Sequence, residues 1–424
     1  MEHLLLSCTS LGLATCWAVG AGYRAVSRAR RRYHLVRCRQ QSLQLAWRSA
    51  ENALHTAVLD PSQAGGNGLQ WRALEVAEIV RESLDCQSFY LVDPHGQPLP
   101  EFRPGQHLLV RPPMTSASGL TRCYSLSSAP NPDYWRITVK RQIPHDRHQA
   151  NRLQSGLSHW MHSHLQTGDC LWVAGPAGTF FLPKDLGSPI VCLAAGVGIT
   201  PMASMIRWSL EHRPQRPIRL FFQARDHQHW PLGETLHGWS RSFPEYHATT
   251  CFSQIDESNL LELSQRLPGT FHHGHLAVEQ ITGCTDVHQA HFFLCGPQAW
   301  MDALRHALAG QGVAPERIHW ESFASPVRTR ANQPGAAHAP QFETHFQRSE
   351  TSAQWTSDEH SLWELAQESG VVIPSGCLSG VCGCCRVRVL QGQVTYDQEP
   401  AIDVPPGECL TCIGRPASNL VLDA

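Results

Sequence analysis

The sequence predicts a multidomain chain: an all-β barrel, then a doubly wound α/β domain built on a parallel sheet, then a small cysteine-bearing domain, with a helical segment ahead of all three. Three observations carry this reading. Residues 71 to 184 read as short strands separated by turns, with few helical periods. Near residue 189 the pattern changes to an apolar strand that runs straight into a glycine-rich turn and a helix. Finally, six of the 16 cysteines fall within residues 377 to 412, while the other ten are scattered singly from Cys8 to Cys295. A disulfide scaffold would be short and evenly studded, so these thiols read as one cysteine-built site on an otherwise reduced, cytoplasmic protein. The 424 residues are 42% hydrophobic and 17% charged, which excludes a wholly disordered chain. A formal charge of -2 argues against nucleic acid as a partner.

That near-neutrality hides an asymmetry. Residues 1 to 60 carry eight Arg against three acids, whereas residues 340 to 424 carry four bases against eleven acids. Residues 4 to 23 hold no formal charge and are followed by Arg24, Arg28, Arg30, Arg31, Arg32, Arg37 and Arg39. About 20 such residues can span a bilayer, and the arginine block would keep the following domains on the cytoplasmic side of the inner membrane. Ser7, Thr9, Ser10, Thr15 and three glycines dilute the stretch, so a surface-lying helix, an organelle-targeting segment and an over-long start remain alternatives to an anchor. Leu43, Trp47, Ala50, Leu54 and Val58 then form one helical stripe, to be packed on the protein body or laid on a membrane. Gly65, Gly66 and Gly68 end this segment, and the first folded domain starts near Trp71.

Within the barrel region stands Arg122-Cys123-Tyr124-Ser125. An arginine fork suits a pyrophosphate, an aromatic ring suits the face of a flat heterocycle, and a small hydroxyl suits its edge. The motif resembles the R-x-Y-S segment of the ferredoxin-NADP reductase superfamily, in which an antiparallel Greek-key barrel binds a flavin. The resemblance implies that Arg122, Tyr124 and Ser125 bind the flavin, with Ser125 near N5. It also implies a following strand that contributes Val139 and Lys140, and a helix start at Gly156, Leu157 and Ser158 whose amides receive the flavin phosphates. The spacing around Gly156 and Ser158 departs from the usual longer G-x-x-S. Gly175-Pro176-Ala177-Gly178-Thr179-Phe180 resembles the G-P-x-G-x-F loop of members that use FAD and not FMN.

The α/β domain carries Gly196-Val197-Gly198-Ile199-Thr200-Pro201 after a strand near 189 to 195, and Cys295-Gly296-Pro297 after a strand near 292 to 294. A glycine turn between strand and helix lets backbone approach a pyrophosphate at the positive end of the helix dipole. The two motifs resemble the nucleotide-contacting loops of the same superfamily. They imply that Gly196, Gly198, Thr200, Pro201, Cys295, Gly296 and Pro297 bind NADH or NADPH, with Cys295 beside the nicotinamide. Glu321-Ser322-Phe323 resembles the E-x-F terminus, which places Phe323 near the flavin face and Glu321 near the site. Arg225 could pair with a 2'-phosphate, but NADH-using relatives carry it in the same context, and the reading leans to NADH. His159, His162 and His164, and likewise His272, His273 and His275, lack a recognised metal-ligand spacing and read as ordinary loop or helix residues.

Residues 324 to 339 form a linker with Pro326, Pro334 and Gly335. A hairpin over 341 to 355, a helix over 361 to 368 and strands over 386 to 390 and 394 to 396 follow it. Between helix and strand stands Cys377-x4-Cys382-x2-Cys385, with Cys412 distal. This is the plant-type ferredoxin spacing for a 2Fe-2S cluster, whose iron suits soft thiolate ligands, and a zinc site would more often pair two C-x2-C elements. Family spacing leaves Cys384 and Cys409 as non-ligands on a β-grasp ferredoxin fold.

The expected organisation is therefore an N-terminal extension over 1–69, an FAD barrel over 70–186, a nucleotide domain over 187–323, the linker, and a 2Fe-2S domain over 340–424. Such an order resembles the reductase components of Rieske-type oxygenase and demethylase systems, passing electrons from NAD(P)H through FAD and the cluster to a protein acceptor with a basic docking surface. A reductase for a membrane-bound desaturase or hydroxylase, a reductase for a hybrid-cluster-type redox protein, and a redox carrier or sensor without turnover are the alternatives.

Overall fold

The computed structural model describes residues 71–113, 121–142, 156–184, 186–283, 286–323, 341–356, 361–373, 376, 378, 380, 383–396, 399–400 and 402–424. The expected N-terminal helical segment, the linker, and Cys377 and Cys382 lie outside the described residues. The chain divides into Met1–Asp60 and Pro61–Ala424, and all that follows concerns the second unit. Among the described residues no helix is long and apolar enough to cross a membrane.

Alternating apolar positions make the first sheet. Strands β1 (Trp71–Arg81), β2 (Cys86–Val92), β3 (His107–Arg111), β4 (Arg122–Ser125), β5 (Trp135–Lys140) and β6 (Cys170–Ala177) run in the order β4-β3-β6-β1-β2-β5, each pair antiparallel. A bridge between Leu126 and Ile137 joins the two ends and closes the barrel. Leu74, Phe89, Leu108, Trp135, Ile137 and Val139 point inward and are fully buried. Helix α1 (Gly156–His164) plugs one opening by sending Leu157 and Met161 into the same core. The Gly175-Pro176-Ala177 segment, expected to be loop, continues β6 instead, because Ala177 pairs with His107 beyond an irregularity in the ladder.

The second sheet is parallel throughout. Strands β7 (Ile190–Ala195), β8 (Ile218–Ala224), β9 (Tyr246–Phe252), β10 (Thr270–His273), β11 (His291–Cys295) and β12 (Ile318–Glu321) lie in the order β10-β9-β8-β7-β11-β12. Helices α2 (Ile199–His212), α3 (Gly233–Trp239), α4 (Glu257–Arg266), α5 (Val278–Thr282) and α6 (Gln298–Gly310) connect them. Every residue of β7 is buried, as a strand with neighbours on both edges and layers on both faces must be. The chain first winds outward from β7 to β10 and then returns to its other side with β11. The switch point therefore lies at the carboxyl ends of β7 and β11, where a doubly wound sheet opens a crevice.

The third module pairs β13 (Phe342–Phe346) with β14 (Thr351–Trp355) as the expected hairpin. Helix α7 (Leu362–Glu368) starts on a reciprocal cap in which Ser361 accepts from the Glu364 amide and Glu364 accepts from the Ser361 amide. Strands β15 (Arg386–Gln391), β16 (Val394–Tyr396), β17 (Glu408–Leu410), β18 (Gly414–Pro416) and β19 (Leu420–Leu422) complete a sheet ordered β14-β13-β19-β15-β17 and a two-stranded β16-β18 ribbon. The last strand is parallel to the first, which brings the end of the chain back beside the hairpin.

One buried histidine ties the outer part of the parallel sheet together. His237 of α3 is fully buried, with Nδ1 2.8 Å from the Pro268 carbonyl and Nε2 2.9 Å from Thr250 Oγ1. Burial pulls its pKa down to about 4, against an opposing pull from the Pro268 carbonyl. The folded state thus holds His237 neutral where the unfolded chain would protonate it, so stability is whole above pH ~6.5 and falls as pH drops toward 4. This group should cost the fold about 2 kcal/mol by pH 5. Denaturant unfolding followed by tryptophan fluorescence between pH 7 and 5 checks this, and His237→Gln should flatten the dependence.

Candidate functional site

The barrel and the parallel sheet meet at a close seam. Gly105, just before β3, has φ 107, and a Cβ there would lie 2.4 Å from Met205 Cε and 2.7 Å from the Phe180 carbonyl oxygen. Only glycine lets β3 approach α2 this closely. Phe180, from the end of the G-P-A-G-T-F segment, is buried in the core of the parallel sheet, edge-on to Phe293 at 6.0 Å. Burying such a ring contributes about 1.5–3 kcal/mol to holding the two modules together.

This seam brings a polar group together from distant parts of the chain. His107 of β3 lies opposite Ser125 of β4, and Cys295 of β11 lies opposite Glu321 of β12. Across the seam, His107 Nδ1 is 3.5 Å from Glu321 Oε1, with the two side chains 5% and 18% exposed. Ser125 Oγ, His107 Nε2 and Glu321 Oε2 are all buried with no hydrogen-bond partner among the described residues. Buried polar atoms are rarely left so, and three at one place mark a spot where a ligand with a hydrogen-bonding edge fits. Burial, with Glu321 adding, pushes the Cys295 thiol well above its usual range, so it is held as a neutral thiol. Sequence reasoning found Ser125, Cys295 and Glu321 and missed His107. Its signal was present as a histidine directly after Gly105-Gln106, at the start of a strand.

On the flavin side, Arg122 is partly exposed, and its Nη1 donates to the Thr121 carbonyl at 2.7 Å. Burial pushes the Tyr124 phenol up, against the pull of Arg122, and the ring packs beside the barrel core. Val139 gives its side chain to that core and its carbonyl to His162 Nε2 at 2.8 Å, while Lys140 Nζ is 3.4 Å from Asp85. Both side chains and the Val139 carbonyl are thus engaged within the protein. Gly156 opens α1 with φ 79, Leu157 is core, and Ser158 Oγ accepts from the Gln142 amide at 3.3 Å.

On the nucleotide side, the two motifs touch. A Cβ on Gly198 would fall 2.1 Å from the Cys295 carbonyl oxygen, and one on Gly296 would fall 2.9 Å from Ala195 Cβ and 3.0 Å from the Trp300 ring. Gly196 has φ 55 with nothing within 4 Å of its Cβ position, so the turn is tight toward the protein and open on its other side. Thr200 Oγ1 donates to the Val197 carbonyl at 3.0 Å and Pro201 is buried in α2, so both hold the turn. Pro297 precedes α6 in the capping position. Helix α2 begins at Ile199, because the Gly196–Gly198 turn feeds directly into it. Arg225, after β8, is held by Asp226 at 3.1 Å and lies against His229. Burial raises the Asp226 pKa, but hydrogen bonds from His229 and Arg225 outweigh this and keep it below the usual range. Phe323 is 44% exposed, two residues beyond Glu321.

In the third module Cys385 and Cys412 are buried together with Leu410 and Ile413. Thr411 donates to the Cys385 carbonyl through both its amide (3.1 Å) and its hydroxyl (2.9 Å), which stitches the two cysteine segments together. Leu378, Gly380 and Gly383 have φ of 55, 74 and 70, so this cysteine-bearing segment turns through left-handed backbone at three of its described positions. Cys409 is instead fully buried in the core of the sheet, where burial pushes its thiol up to about 12, with Cys385 and Glu408 adding. Cys384 packs against the barrel residues Leu109 and Ala174. Among the described residues no group of three or more His, Cys, Asp and Glu side chains is placed to hold a metal ion.

Comparison with known proteins accords with these modules. Residues 192–306 match the model of the oxidoreductase NAD-binding domain, and residues 345–417 that of the 2Fe-2S iron-sulfur cluster binding domain. The chain thus carries a match to an oxidoreductase NAD-binding domain followed by a match to a 2Fe-2S iron-sulfur cluster binding domain. It is similar to the glycine betaine monooxygenase reductase subunit of Chromohalobacter salexigens, 28% identical over 82% of this chain and 93% of that one. The fold is similar to phthalate dioxygenase reductase, a modular structure for electron transfer from pyridine nucleotides to 2Fe-2S, with TM-score 0.53, 27% identity, and 84% and 98% of the two chains covered. A flavohemoprotein of Chromobacterium violaceum is 34% identical over 63% of this chain and 64% of its own. The chain spans about six-tenths of the length of the flavohemoproteins it matches.

The cysteine placements predict different outcomes for neighbouring substitutions. Cys384→Ser should retain the visible absorption of a 2Fe-2S cluster at full iron content, whereas Cys385→Ser should lose most of both, measured by absorption and iron assay of the purified protein.

Proposed function

We propose that this chain is an NAD(P)H-dependent flavoprotein reductase that passes electrons through FAD and a 2Fe-2S cluster to a partner oxygenase. The observation that carries it is the meeting of Ser125 and His107 from the barrel with Cys295 and Glu321 from the nucleotide domain, in a chain that also bears a 2Fe-2S domain. The similarity to reductases of oxygenase systems favours an oxygenase as acceptor.

A bound flavin supplies the conversion of a two-electron hydride donor into single-electron deliveries. The residues of this chain do the holding. Arg122 and the amides opening α1 would receive the flavin phosphates, and Tyr124 and Phe323 would lie against its ring. Ser125 Oγ and Glu321 would hydrogen-bond along the reacting edge, and the neutral Cys295 thiol would fix the nicotinamide above it. The open side of the Gly196 turn and the amides of α2 would take the nucleotide pyrophosphate. Cys377, Cys382, Cys385 and Cys412 would hold the cluster. The surplus of acids over residues 340 to 424 fits a partner with a basic docking surface, and the uncharged stretch over 4–23 with its arginines fits attachment to the cytoplasmic face of a membrane, separate from the redox path.

Mixing the holoprotein anaerobically with NADH should bleach the flavin within milliseconds to seconds, followed by cluster reduction seen by absorption and EPR. A chain that carries or senses electrons without turnover would show no bleaching. Because Asp226 neutralises Arg225 and stands just past β8, where an acid suits an unphosphorylated ribose, kcat/KM for NADH should exceed that for NADPH by about tenfold or more. Asp226→Ser should narrow that ratio in steady-state assays.

A further inference from the structure

We propose that Arg111 is a positioning residue of the electron path: its guanidinium, held over two tryptophans on the outside of the barrel, seats the cluster-bearing loop beside the flavin edge and favours the reduced cluster. This rests on the reductase reading above and adds a residue and a contact to it. The step it serves moves one electron from the reduced flavin to the oxidised cluster, with no bond made and no proton taken by the cluster. A 2Fe-2S cluster on four thiolates is already an anion, and the electron adds one more negative charge. A fixed cation close by therefore stabilises the product more than the reactant.

The outer face of the barrel carries the contact. Leu108 and Val110 point into the barrel core, so His107, Leu109 and Arg111 point outward in turn along β3. Trp71 of β1, Ala174 of β6, Leu109 of β3 and Cys123 of β4 lie opposite one another in register and make one row across four strands. Cys384 of the third module packs on this row, at the buried Leu109 and Ala174. One step along β3 toward its start, about 7 Å for two residues of strand, stands the His107–Ser125 pair of the redox seam. One step the other way Arg111 stands opposite Trp172, its guanidinium 4.2 Å from the centre of the Trp71 ring and 5.7 Å from that of Trp172. Burial pulls the Arg111 pKa below its usual value and Cys384 pulls it back up, so the two side chains lie within electrostatic reach of each other. An arginine keeps its charge at working pH all the same. Cys384 directly precedes Cys385, one of the four thiols assigned to the cluster. The side chain that touches the barrel is thus chain neighbour to one that would touch iron, and the two tryptophans hold the guanidinium facing it.

The test compares the wild-type holoprotein with Arg111→Gln and Arg111→Lys. Iron and FAD content, the cluster midpoint potential from an EPR-monitored redox titration, and stopped-flow rates of flavin bleaching by NADH and of electron arrival at the cluster are measured on each. With iron and FAD retained, Arg111→Gln should lower the cluster potential and slow electron arrival by about fivefold or more, while bleaching keeps its wild-type rate. Arg111→Lys, which keeps the charge, should hold the potential near the wild-type value. A wild-type cluster potential and arrival rate in Arg111→Gln overturn the proposal, and so does an equal fall in potential in Arg111→Lys. Should Arg111→Gln fail to hold its iron, Arg111→Leu, which suits the apolar row beside it, carries the same measurements, and wild-type values there overturn the proposal equally. Wild-type protein whose flavin NADH does not bleach would instead overturn the reductase reading itself.

Discussion

The structure depends on a seam between two sheets of different kinds. Neither the barrel nor the parallel sheet owns a complete site; Ser125 and His107 belong to one, Cys295 and Glu321 to the other. What brings them together is steric: a glycine at 105 that lets β3 lie on Met205, and Phe180 set into the neighbouring core. The apolar contact is non-directional and strong, and the polar pair it closes over is directional and weak unless held. The first therefore sets the distance at which the second can act.

The same division governs the nucleotide loops. The carboxyl ends of β7 and β11 lie side by side because the strand order reverses there, and Gly198 then has to pass within touching distance of the Cys295 carbonyl. Glycine at 198 is demanded by the neighbouring strand, whereas glycine at 196 is demanded by the left-handed backbone of the turn. Two glycines that look alike in a motif thus answer to different constraints, one tertiary and one local.

Burial also sorts the thiols. Cys409 and Cys295 are kept protonated by the apolar surroundings that bury them, while Cys385 and Cys412 are gathered in a small cluster whose backbone is stitched by Thr411. Cys409 lies in the core of its own sheet, and Cys384 is partly buried against the barrel residues Leu109 and Ala174.

The sequence by itself determined the local features: the period-two strands of the barrel, the buried β7 running into its glycine turn, the capped helix at Ser361, and the cysteine spacing. Each is written in residues close along the chain, where backbone sterics and hydrogen-bonding rules act directly. It also pointed to Ser125, Cys295 and Glu321, because their motifs are short. It did not reveal His107, the extension of β6 through Gly175-Pro176-Ala177, or that Lys140 faces Asp85 and Thr200 closes its own turn. Those are decided by what lies opposite in space. His107 and Glu321 are more than two hundred residues apart, and only the closing of the barrel and its docking on the parallel sheet make them neighbours.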